Sequence, residues 1–422
     1  MPDSKNISAY FYTLGCKVNH YDTETMREKL SLLGVVETGD TPQLCIINTC
    51  TVTQASDKKC RQLTRKLIRQ FPKAKIIIAG CYSELNKEIF EDIPGVDLIV
   101  GANSADLIVE KVIQWFDLDS TPQKKFSGIY SFADQVRAFV KVQDGCDQFC
   151  SYCRVPLARG NPRSRDFSSI KNEVENLLGE GFQEIVLCGV RLSSWGEDLG
   201  ESFIDNLQKL AENLNIPRLR LSSVEPRDLD PHIIKELAKI PSLCPHLHLP
   251  LQSGSDTILN KMNRSYNISD YTQLVEAFYE IFPNGSITTD IMVGFPGETE
   301  EDFNLSCKSA ENYKFTKVHR FIFSARPGTA AYEFPGRIPE RIRTERAKRL
   351  GEIALKVAQQ VKNKWIDSEI NVLVETISEG IASGYTPEYH RVKFPANENI
   401  KNQVIPVKII KAFPTYLEGI KK

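Results

Sequence analysis

The stretch GCDQFCSYC, residues 145–153, contains three cysteines with three and then two residues between them. It follows AFVKVQ (138–143), an apolar run typical of a strand, so the cysteines are expected on a loop at the end of a strand. Thiolates bind zinc and iron–sulfur clusters, and both kinds of site normally close with four ligands. The next cysteine is Cys188, far downstream. The loop therefore predicts either a cluster with one open iron, where a small molecule can bind, a structural zinc loop, or three unconnected cysteines.

Segments with strand character alternate with helical segments around this loop, from residue 136 to 365. The candidate strands are AFVKVQDGC, EIVLCGV, RLRLSSVEP, HLHLPLQ, SITTDIMVGF and KVHRFIFSA. Six such units predict a partial (β/α)6 barrel, similar to a TIM barrel but with fewer units and open on one side. Chemistry in such barrels lies at the C-terminal ends of the strands, where the cysteine loop is expected.

The first 118 residues predict a separate domain with a doubly wound parallel sheet, because apolar runs again alternate with helical stretches. Three of these runs end in a cysteine, namely Cys16, Cys50 and Cys81. The C-terminal ends of parallel strands share one edge of the sheet, so three thiols could converge there as a second cluster with an open iron. The alternative is that each cysteine is a small buried apolar residue. Residues 119–135, polar and containing Pro and Gly, are predicted to be a linker.

The last 57 residues, 366–422, change to short alternating segments after a long helix over 338–365, which predicts a small all-β barrel. The chain has 422 residues, 11 cysteines and a net charge of −1, which excludes a uniformly basic nucleic-acid-binding protein. From Lys58 to Lys75, however, there are eight Lys or Arg and no acidic residue. Such a run is either a solvated helix face or a phosphate-binding surface. No secretory leader and no apolar run of membrane-spanning length is recognised, so a cytoplasmic protein is expected.

Many motifs resemble one family, the radical S-adenosylmethionine (SAM) methylthiotransferases. They are TLGCKVNHYDTE, INTCTV, AGCYSE, GCDQFCSYCRVPLARG, RSR, PLQSGSD, GFPGETEEDF and SARPGTAA. The resemblance implies an N-terminal methylthiotransferase domain, a radical SAM barrel, a C-terminal RNA-binding TRAM module, SAM as a cofactor and two [4Fe–4S] clusters. It also implies the ligand sets: Cys146, Cys150 and Cys153 for the SAM cluster, and Cys16, Cys50 and Cys81 for the auxiliary cluster. Radical chemistry would then replace a C–H bond by C–S–CH3 without a protein acid–base pair.

The resemblance and the predicted strand ends together suggest further contacts. The SAM contacts expected on the barrel loops are Tyr152, Gly189, Glu225, Gln252, Ser253 and Asp290. RNA contacts are expected on the basic stretch and on the C-terminal module, where cations can hold phosphates and aromatics can stack on bases. They are Arg61, Arg65, Arg69, Tyr385, Tyr389, Arg391 and Lys393.

The first cysteine motif, GCKVNHYDTE, indicates the substrate. It resembles the branch that acts on N6-threonylcarbamoyladenosine at position 37 of tRNA, whereas the isopentenyladenosine branch reads GCQMN and the ribosomal-protein aspartate branch GCPKN. The threonylcarbamoyl group carries a carboxylate, so its pocket should contain a cation, for which Arg159, Arg163 and Arg191 are candidates. An unidentified electron donor and sulfur source are also implied. The two other branches, and a non-catalytic iron–sulfur RNA-binding protein, are the alternatives.

Overall fold

The computed structural model describes residues 7–51, 53–119, 128–132 and 135–422. It contains an N-terminal parallel sheet, a central set of six strands and a closed C-terminal barrel. The predicted α/β multidomain fold class is therefore confirmed. The predicted domain boundaries at 118, 135 and 365 stay predictions, and much of the predicted linker lies outside the described residues. No helix among the described residues has the length and apolar character needed to cross a bilayer.

The N-terminal sheet is parallel, with strand order β2-β1-β3-β4-β5. Its inner strands LCIINT and KIIIAG are buried along nearly their whole length, as expected where helices cover both faces of a parallel sheet. The strands are β1 (Ile7–Thr13), β2 (Val35–Glu37), β3 (Leu44–Thr49), β4 (Lys75–Gly80) and β5 (Leu98–Ile99). The helices are α1 (Lys17–Ser31), α2 (Gln54–Gln70), α3 (Cys81–Leu85), α4 (Lys87–Glu91) and α5 (Ala105–Phe116).

The central region pairs its main strands in the order β6-β9-β10 and β11-β12-β13, all parallel. An isolated bridge from Ser223 to His248 joins the two sheets. Its strands are β6 (Arg137–Lys141), β7 (Gln143–Asp144), β8 (Arg163–Ser164), β9 (Glu184–Cys188), β10 (Leu219–Leu221), β11 (His246–His248), β12 (Ser286–Val293) and β13 (Lys317–Ile322). No ladder among the described residues joins β6 to β13, so the six-stranded barrel is open there, as predicted.

Helices enclose the central strands and bury a large apolar core. They are α6 (Val155–Arg159), α7 (Phe167–Gly179), α8 (Phe203–Asn213), α9 (Pro231–Leu237), α10 (Asp256–Lys261), α11 (Ile268–Ile281), α12 (Glu300–Asn312) and α13 (Glu340–Asn363). Side-chain caps fix several helix starts. For example, Asn267 and Asp270 form a capping box at the start of α11, and Thr299 and Asp302 form one at the start of α12.

The C-terminal barrel closes in the order β14-β15-β16-β18-β17. Its strands are β14 (Glu369–Ser378), β15 (Ile381–Tyr385), β16 (Arg391–Pro395), β17 (Val404–Ala412) and β18 (Leu417–Lys421). Its β15–β16 turn lies against the N-terminal ends of the central strands. Arg220 donates to the carbonyls of Thr386 (3.2 Å) and Pro387 (2.9 Å), and Arg218 donates to the carbonyl of Tyr385 (3.1 Å). These bonds fix the small barrel to the base of the large one.

Candidate metal centre and cofactor site

The three N-terminal cysteines lie together at one edge of the first sheet. Cys16 precedes α1, Cys50 directly follows β3, and Cys81 begins α3 directly after β4. Because β1, β3 and β4 are neighbouring parallel strands, their C-terminal ends meet, and all three cysteines line one cavity of about 630 Å³. The fold therefore brings the set together, and its role as a ligand set stays a prediction.

Close packing and one amide hold the first two cysteine segments together. Gly15 has φ +109°, and a Cβ at this position would lie 2.9 Å from the Cβ of Cys50, so a larger residue would push the segments apart. Asn19, buried on α1, donates from Nδ2 to the carbonyls of Leu14 (2.8 Å) and Thr49 (2.9 Å). One side chain thus joins the end of β1 to the end of β3.

A buried guanidinium faces the third cysteine of this set. Arg159 Nε donates to Cys81 Sγ at 3.2 Å, and the other nitrogens bind Asp144 (2.9 Å) and Asp22 (2.8 Å). Burial raises the pKa of the Cys81 thiol to about 12, against the opposing effect of the Arg159 charge. The free thiol is therefore protonated at pH 7. Binding a metal as a thiolate requires loss of that proton, which the positive charge of the metal would favour.

The second set, Cys146, Cys150 and Cys153, lies on the loop between β7 and α6, past the C-terminal end of the first barrel strand. All three are half-buried. Gly145 opens the loop with φ +77°, and a Cβ there would lie 2.0 Å from the carbonyl oxygen of Asn161. Only glycine fits this approach of two backbone segments. The sharp turn places the first cysteine of the set at the mouth of the barrel.

An arginine faces this set as well. Arg264 Nη1 donates to Cys150 Sγ at 3.2 Å, and Nη2 pairs with Glu225. Burial, followed by the charge of Cys150, raises the pKa of the Cys153 thiol to about 12. Each set thus has three soft donors and a guanidinium N–H directed at a sulfur, and in the second set the backbone N–H of Val155 also donates to Cys153 Sγ at 3.4 Å. That combination fits a thiolate-bound iron–sulfur cluster with one iron left for another ligand.

A smaller cavity of about 130 Å³ lies beside Cys153 and adjoins the larger cavity. The predicted SAM contacts Tyr152, Gln252 and Asp290 line it. Asp290 and Phe321 line both cavities. The cavity lined by the N-terminal cysteines therefore adjoins the one beside Cys153, as two open irons acting on a single substrate would require.

The other three predicted SAM contacts lie elsewhere. Gly189 lines the larger cavity, and Glu225 reaches the cysteine loop only through Arg264. Ser253 is buried, and its Oγ accepts from the backbone N–H of Ser255 at 3.2 Å. Its hydroxyl therefore supports the loop after β11 and does not line either cavity. All six SAM contacts stay predictions.

The basic stretch begins inside α2, which ends at Gln70, and continues through a turn to Lys75 at the start of β4. Arg65 and Arg69 are exposed, whereas Arg61 is half-buried and donates to the hydroxyl of Tyr82. The helix starts a few residues after Cys50. It therefore begins beside the N-terminal cysteine set and carries its exposed cations away from that set along the surface.

The predicted RNA contacts of the C-terminal barrel fall into two groups. Tyr385 and Tyr389 stack on each other at 4.8 Å, and the guanidinium of Arg137 from β6 lies 5.0 and 5.3 Å from their rings. These two rings therefore pack against the base of the central barrel. Arg391 donates to Ser383 Oγ at 2.9 Å and is exposed.

Lys393 belongs to a separate aromatic patch on the same barrel. Its ammonium lies 4.6 Å from the centre of the Tyr416 ring, which stacks on Phe413 at 4.5 Å. Lys411 lies 4.9 Å from the Phe413 ring. This arrangement of half-buried rings and lysines is typical of a surface that stacks bases and holds phosphates.

Two of the three cations considered for a threonylcarbamoyl group are paired inside the protein. Arg191 forms two bonds to Asp228 (2.7 and 2.9 Å), and Arg159 is held by two carboxylates, as described above. Arg163 is exposed and donates to the carbonyl of Asn161 at 3.3 Å. The charges of Arg159 and Arg191 are therefore already balanced by carboxylates of the protein, so neither guanidinium is available to bind a substrate carboxylate.

Sequence reasoning missed several residues of the large cavity. His248 and His319 were not predicted, and they lie beside the predicted SAM contact Asp290; the three side chains, from neighbouring strands, each offer a ligand atom within 4.8 Å of the others. Lys17 and Lys317 line the same cavity. Each strand here carries inward-facing polar residues at every second position, for example Lys317 and His319. That alternation was the available signal.

Comparison with known proteins shows which families and relatives the chain is similar to. It matches the radical SAM superfamily over residues 140–310 and the uncharacterized protein family UPF0004 over residues 8–101. It is 37% identical over 403 residues to the threonylcarbamoyladenosine tRNA methylthiotransferase MtaB of Chlamydia pneumoniae, covering 94% of each chain. The MtaB of Bacillus subtilis is 33% identical, with 97% of this chain and 95% of the relative covered. The tRNA-2-methylthio-N(6)-dimethylallyladenosine synthase of Natranaerobius thermophilus is 34% identical, with 97% and 96% covered.

Solved structures agree with the fold. The radical S-adenosylmethionine methyltransferase TsrM of Kitasatospora setae superposes with a TM-score of 0.56 at 13% identity, covering 89% of this chain and 80% of that chain. OxsB, a cobalamin-dependent S-adenosylmethionine radical enzyme, superposes with a TM-score of 0.52 at 10% identity, covering 84% of this chain and 57% of that one.

The fold and the cysteine loop define a radical SAM enzyme. The chain belongs to the methylthiotransferase family, because relatives of that family are 33–37% identical over more than nine-tenths of its length. Enzymes of this family use SAM and carry two [4Fe–4S] clusters, so the predicted cofactors are confirmed.

Proposed function

We propose that the chain adds a methylthio group to carbon 2 of N6-threonylcarbamoyladenosine at position 37 of tRNAs that read codons beginning with A. The observation that carries the proposal is the pair of three-cysteine sets, because the cavity lined by Cys16, Cys50 and Cys81 adjoins the one beside Cys153. Relatives named as threonylcarbamoyladenosine tRNA methylthiotransferases, which match nearly the whole chain, support the choice of substrate. A tRNA substrate also supports the expectation of a cytoplasmic protein.

The chain's own residues would hold and align the reactants. Cys146, Cys150 and Cys153 would hold the SAM cluster, and Cys16, Cys50 and Cys81 the auxiliary cluster. Tyr152, Gln252 and Asp290, which line the smaller cavity, would contact part of SAM, and the base would enter the larger cavity. When bound, the clusters and SAM supply a methylated sulfur and the radical chemistry that replaces an unactivated C–H bond. The electron donor and the sulfur source are separate, still unidentified partners.

RNA would be held at a distance from this centre. The exposed arginines of α2 and the patch of Lys393, Lys411, Phe413 and Tyr416 both provide cations, and the patch adds rings for stacking. The C-terminal barrel would thereby act as a TRAM-like RNA-binding module.

Isopentenyladenosine is the second candidate substrate, because relatives named for the dimethylallyl product are up to 34% identical over almost the whole chain. An isopentenyl group is apolar and requires an apolar pocket. The larger cavity instead contains Lys17, Lys317 and three histidines, and this favours a charged substituent. Methylthiolation of a ribosomal-protein aspartate and non-catalytic RNA binding remain outcomes of the tests below.

The test is to express the chain in a strain that lacks both tRNA methylthiotransferases and to analyse its tRNA nucleosides by mass spectrometry. The expected product is 2-methylthio-N6-threonylcarbamoyladenosine. Appearance of only the isopentenyl product would overturn the substrate. If neither nucleoside appears, the ribosomal-protein digest is analysed for methylthioaspartate. Absence of SAM cleavage by the reduced, reconstituted protein would indicate a non-catalytic role.

A further inference from the structure

Two lysines line the large cavity from the two sides of the open barrel. Lys17, the first residue of α1, also lines a neighbouring cavity beside β6, together with Arg137 and Phe139. Lys317 is the first residue of β13, the other edge strand. Within the part of the chain that the structure describes, neither ammonium forms an ion pair with a carboxylate.

The two arginines that line this cavity are already held by carboxylates, and Arg220 shares its carboxylate with Arg137 and Arg218. Arg159 binds Asp22 and Asp144, and Arg220 binds Glu184 at 2.6 Å. The cavity wall has one carboxylate, Asp290, whose Oδ1 lies 3.3 Å from His248 Nε2. Two unpaired ammonium groups therefore face a cavity whose described wall has a single carboxylate, and they would attract an anionic ligand as well as balance a thiolate-bound cluster on Cys16, Cys50 and Cys81.

We propose that Lys17 and Lys317 bind the carboxylate of the threonylcarbamoyl group and thereby select that substrate; this inference rests on the proposed function. A carboxylate accepts short charge-assisted hydrogen bonds from ammonium groups, whereas an isopentenyl group accepts none. The cavity volume of about 630 Å³ lies in the range of about 300–1,000 Å³ typical of small-molecule sites. It has room for the base together with its substituent.

His319 lies near both lysines and supports the same site. Burial, then the Lys317 charge, lowers the pKa of His319 to about 4, and the Lys17 charge acts in the same direction. The imidazole is therefore neutral at pH 7 and offers one N–H donor. A neutral donor near two ammonium groups suits the urea and carboxylate oxygens of the substituent.

A metal ion is the competing occupant of this part of the cavity, because His248, Asp290 and His319 have the residue types of a cation site. The two ammonium charges near His319 oppose it, since they raise the energy of a divalent cation there. The same charges favour an anion.

The experiment measures binding of the reconstituted protein, without reductant, to three anticodon stem-loops by fluorescence anisotropy. The loops carry threonylcarbamoyladenosine, its methyl ester, or adenosine at position 37. Wild-type protein is expected to bind the acid more tightly than the ester. Lys17→Gln and Lys317→Gln should each weaken binding of the acid about tenfold and leave the ester and adenosine loops unchanged. Lys17→Arg and Lys317→Arg keep the charge and should retain most of the affinity.

Lys235→Gln is the matched control, because Lys235 is an exposed lysine of α9 that forms no ion pair among the described residues. It should change none of the three affinities. Equal losses on all three loops in the lysine variants would mean phosphate contacts and would overturn the inference. So would unchanged binding of the acid by the variants, or a zinc-dependent gain in acid binding that the variants retain.

Failure of the inference and failure of the proposed function have different signatures. If wild-type protein makes the threonylcarbamoyl product in cells but the variants bind the acid normally, only the role of the lysines is wrong. If wild-type protein makes only the isopentenyl product and binds acid and ester equally, the proposed function itself is wrong.

Discussion

The two cysteine sets are built in opposite ways. Cys146, Cys150 and Cys153 share one loop, whereas Cys16, Cys50 and Cys81 come from three separate strand ends. A loop brings its ligands together through its own turn, which Gly145 makes possible. Strand ends meet only after the whole parallel sheet has formed. The comparison teaches that one site depends on local sequence and the other on tertiary structure.

One residue connects the two sites. Arg159 ends α6, the helix that directly follows the loop of Cys146, Cys150 and Cys153. Its guanidinium nevertheless faces Cys81 of the N-terminal domain. Arg264, the arginine that faces Cys150, belongs to the central barrel itself. The strand-built site is therefore joined to the barrel by the Arg159 charge, while the loop site contacts the N-terminal domain through Arg154, which donates to Thr51 Oγ1 (3.4 Å) and Asn86 Oδ1 (3.1 Å).

The largest expected effect separates the two sets by their iron content. Anaerobically reconstituted protein should hold about eight irons. Replacing Cys146, Cys150 and Cys153 by Ala should halve the iron and abolish SAM cleavage. Replacing Cys16, Cys50 and Cys81 should also halve the iron but leave some deoxyadenosine formation. Iron analysis and chromatography of the SAM products measure both.

The control is a triple replacement of Cys45, Cys244 and Cys307 by Ala, since these cysteines are buried and line neither cavity. It should leave the iron content unchanged. Zinc in the wild-type protein, or only four irons, would contradict the two-cluster assignment.

The next effect concerns the charge that ties the sites together. Arg159→Met leaves the buried carboxylates of Asp22 and Asp144 with only Lys141, so the free energy of unfolding should fall by about 3–5 kcal/mol. Urea denaturation of the wild-type and variant proteins measures this difference. Lys171→Met removes an exposed pair with Glu175 and should cost less than about 1 kcal/mol. Equal losses of unfolding free energy in both variants would show that Arg159 does not hold the two sites together.

A third test concerns α2, which leads away from the strand-built site. Reversing Arg61, Arg65 and Arg69 to Glu should weaken tRNA binding and flatten its salt dependence by about one unit of slope per lost phosphate contact. Binding measured over a range of salt concentrations gives the slope. Reversing Lys171, Lys209 and Lys235, on outer barrel helices, changes the net charge equally and should leave most of the slope. An unchanged slope in the α2 variant would make the helix a solvated surface only.

The smallest effect compares one supporting side chain at each site. Asn19→Ala leaves the carbonyls of Leu14 and Thr49 without their amide donor and should lower the free energy of unfolding by about 1–3 kcal/mol. Ser151→Ala removes one bond, from Oγ to the carbonyl of Lys261, and should cost about 1 kcal/mol. Thermal unfolding of both variants tests the order. A larger loss of unfolding free energy for Ser151→Ala would mean that the loop site depends on distant contacts more than the strand-built site does.

The sequence was sufficient to predict the fold class and the places in the fold where the two cysteine sets lie. Apolar runs that end in Cys16, Cys50 and Cys81 predict strand ends on one sheet edge, and the spacing of the later set is readable without any structure. The partners of charged residues were not readable. Arg159 was a substrate candidate from sequence, but the fold pairs it with Asp22, which is 137 positions away.

The role of the C-terminal aromatics was hidden for the same reason. Tyr385 and Tyr389 have the composition of a base-stacking surface, yet cations from β6 and β10 lie over Tyr389. Conversely, Lys17 sits in a motif that pointed to the substrate branch, but only the fold reveals that it lines the large cavity. Which charges stay unpaired depends on contacts between segments that are distant in sequence.

The docking of the C-terminal barrel has a consequence for position along an RNA. Arg218 and Arg220 donate hydrogen bonds to its backbone carbonyls, and the Tyr389 ring packs against His246 in a tilted arrangement with ring centres 4.6 Å apart. The small barrel therefore cannot swing independently of the reaction centre. If an RNA binds both to the C-terminal barrel and in the cavity, the protein fixes the distance between these two contacts. The enzyme would then select its nucleotide by its distance from the RNA contact on the C-terminal barrel as well as by its chemistry.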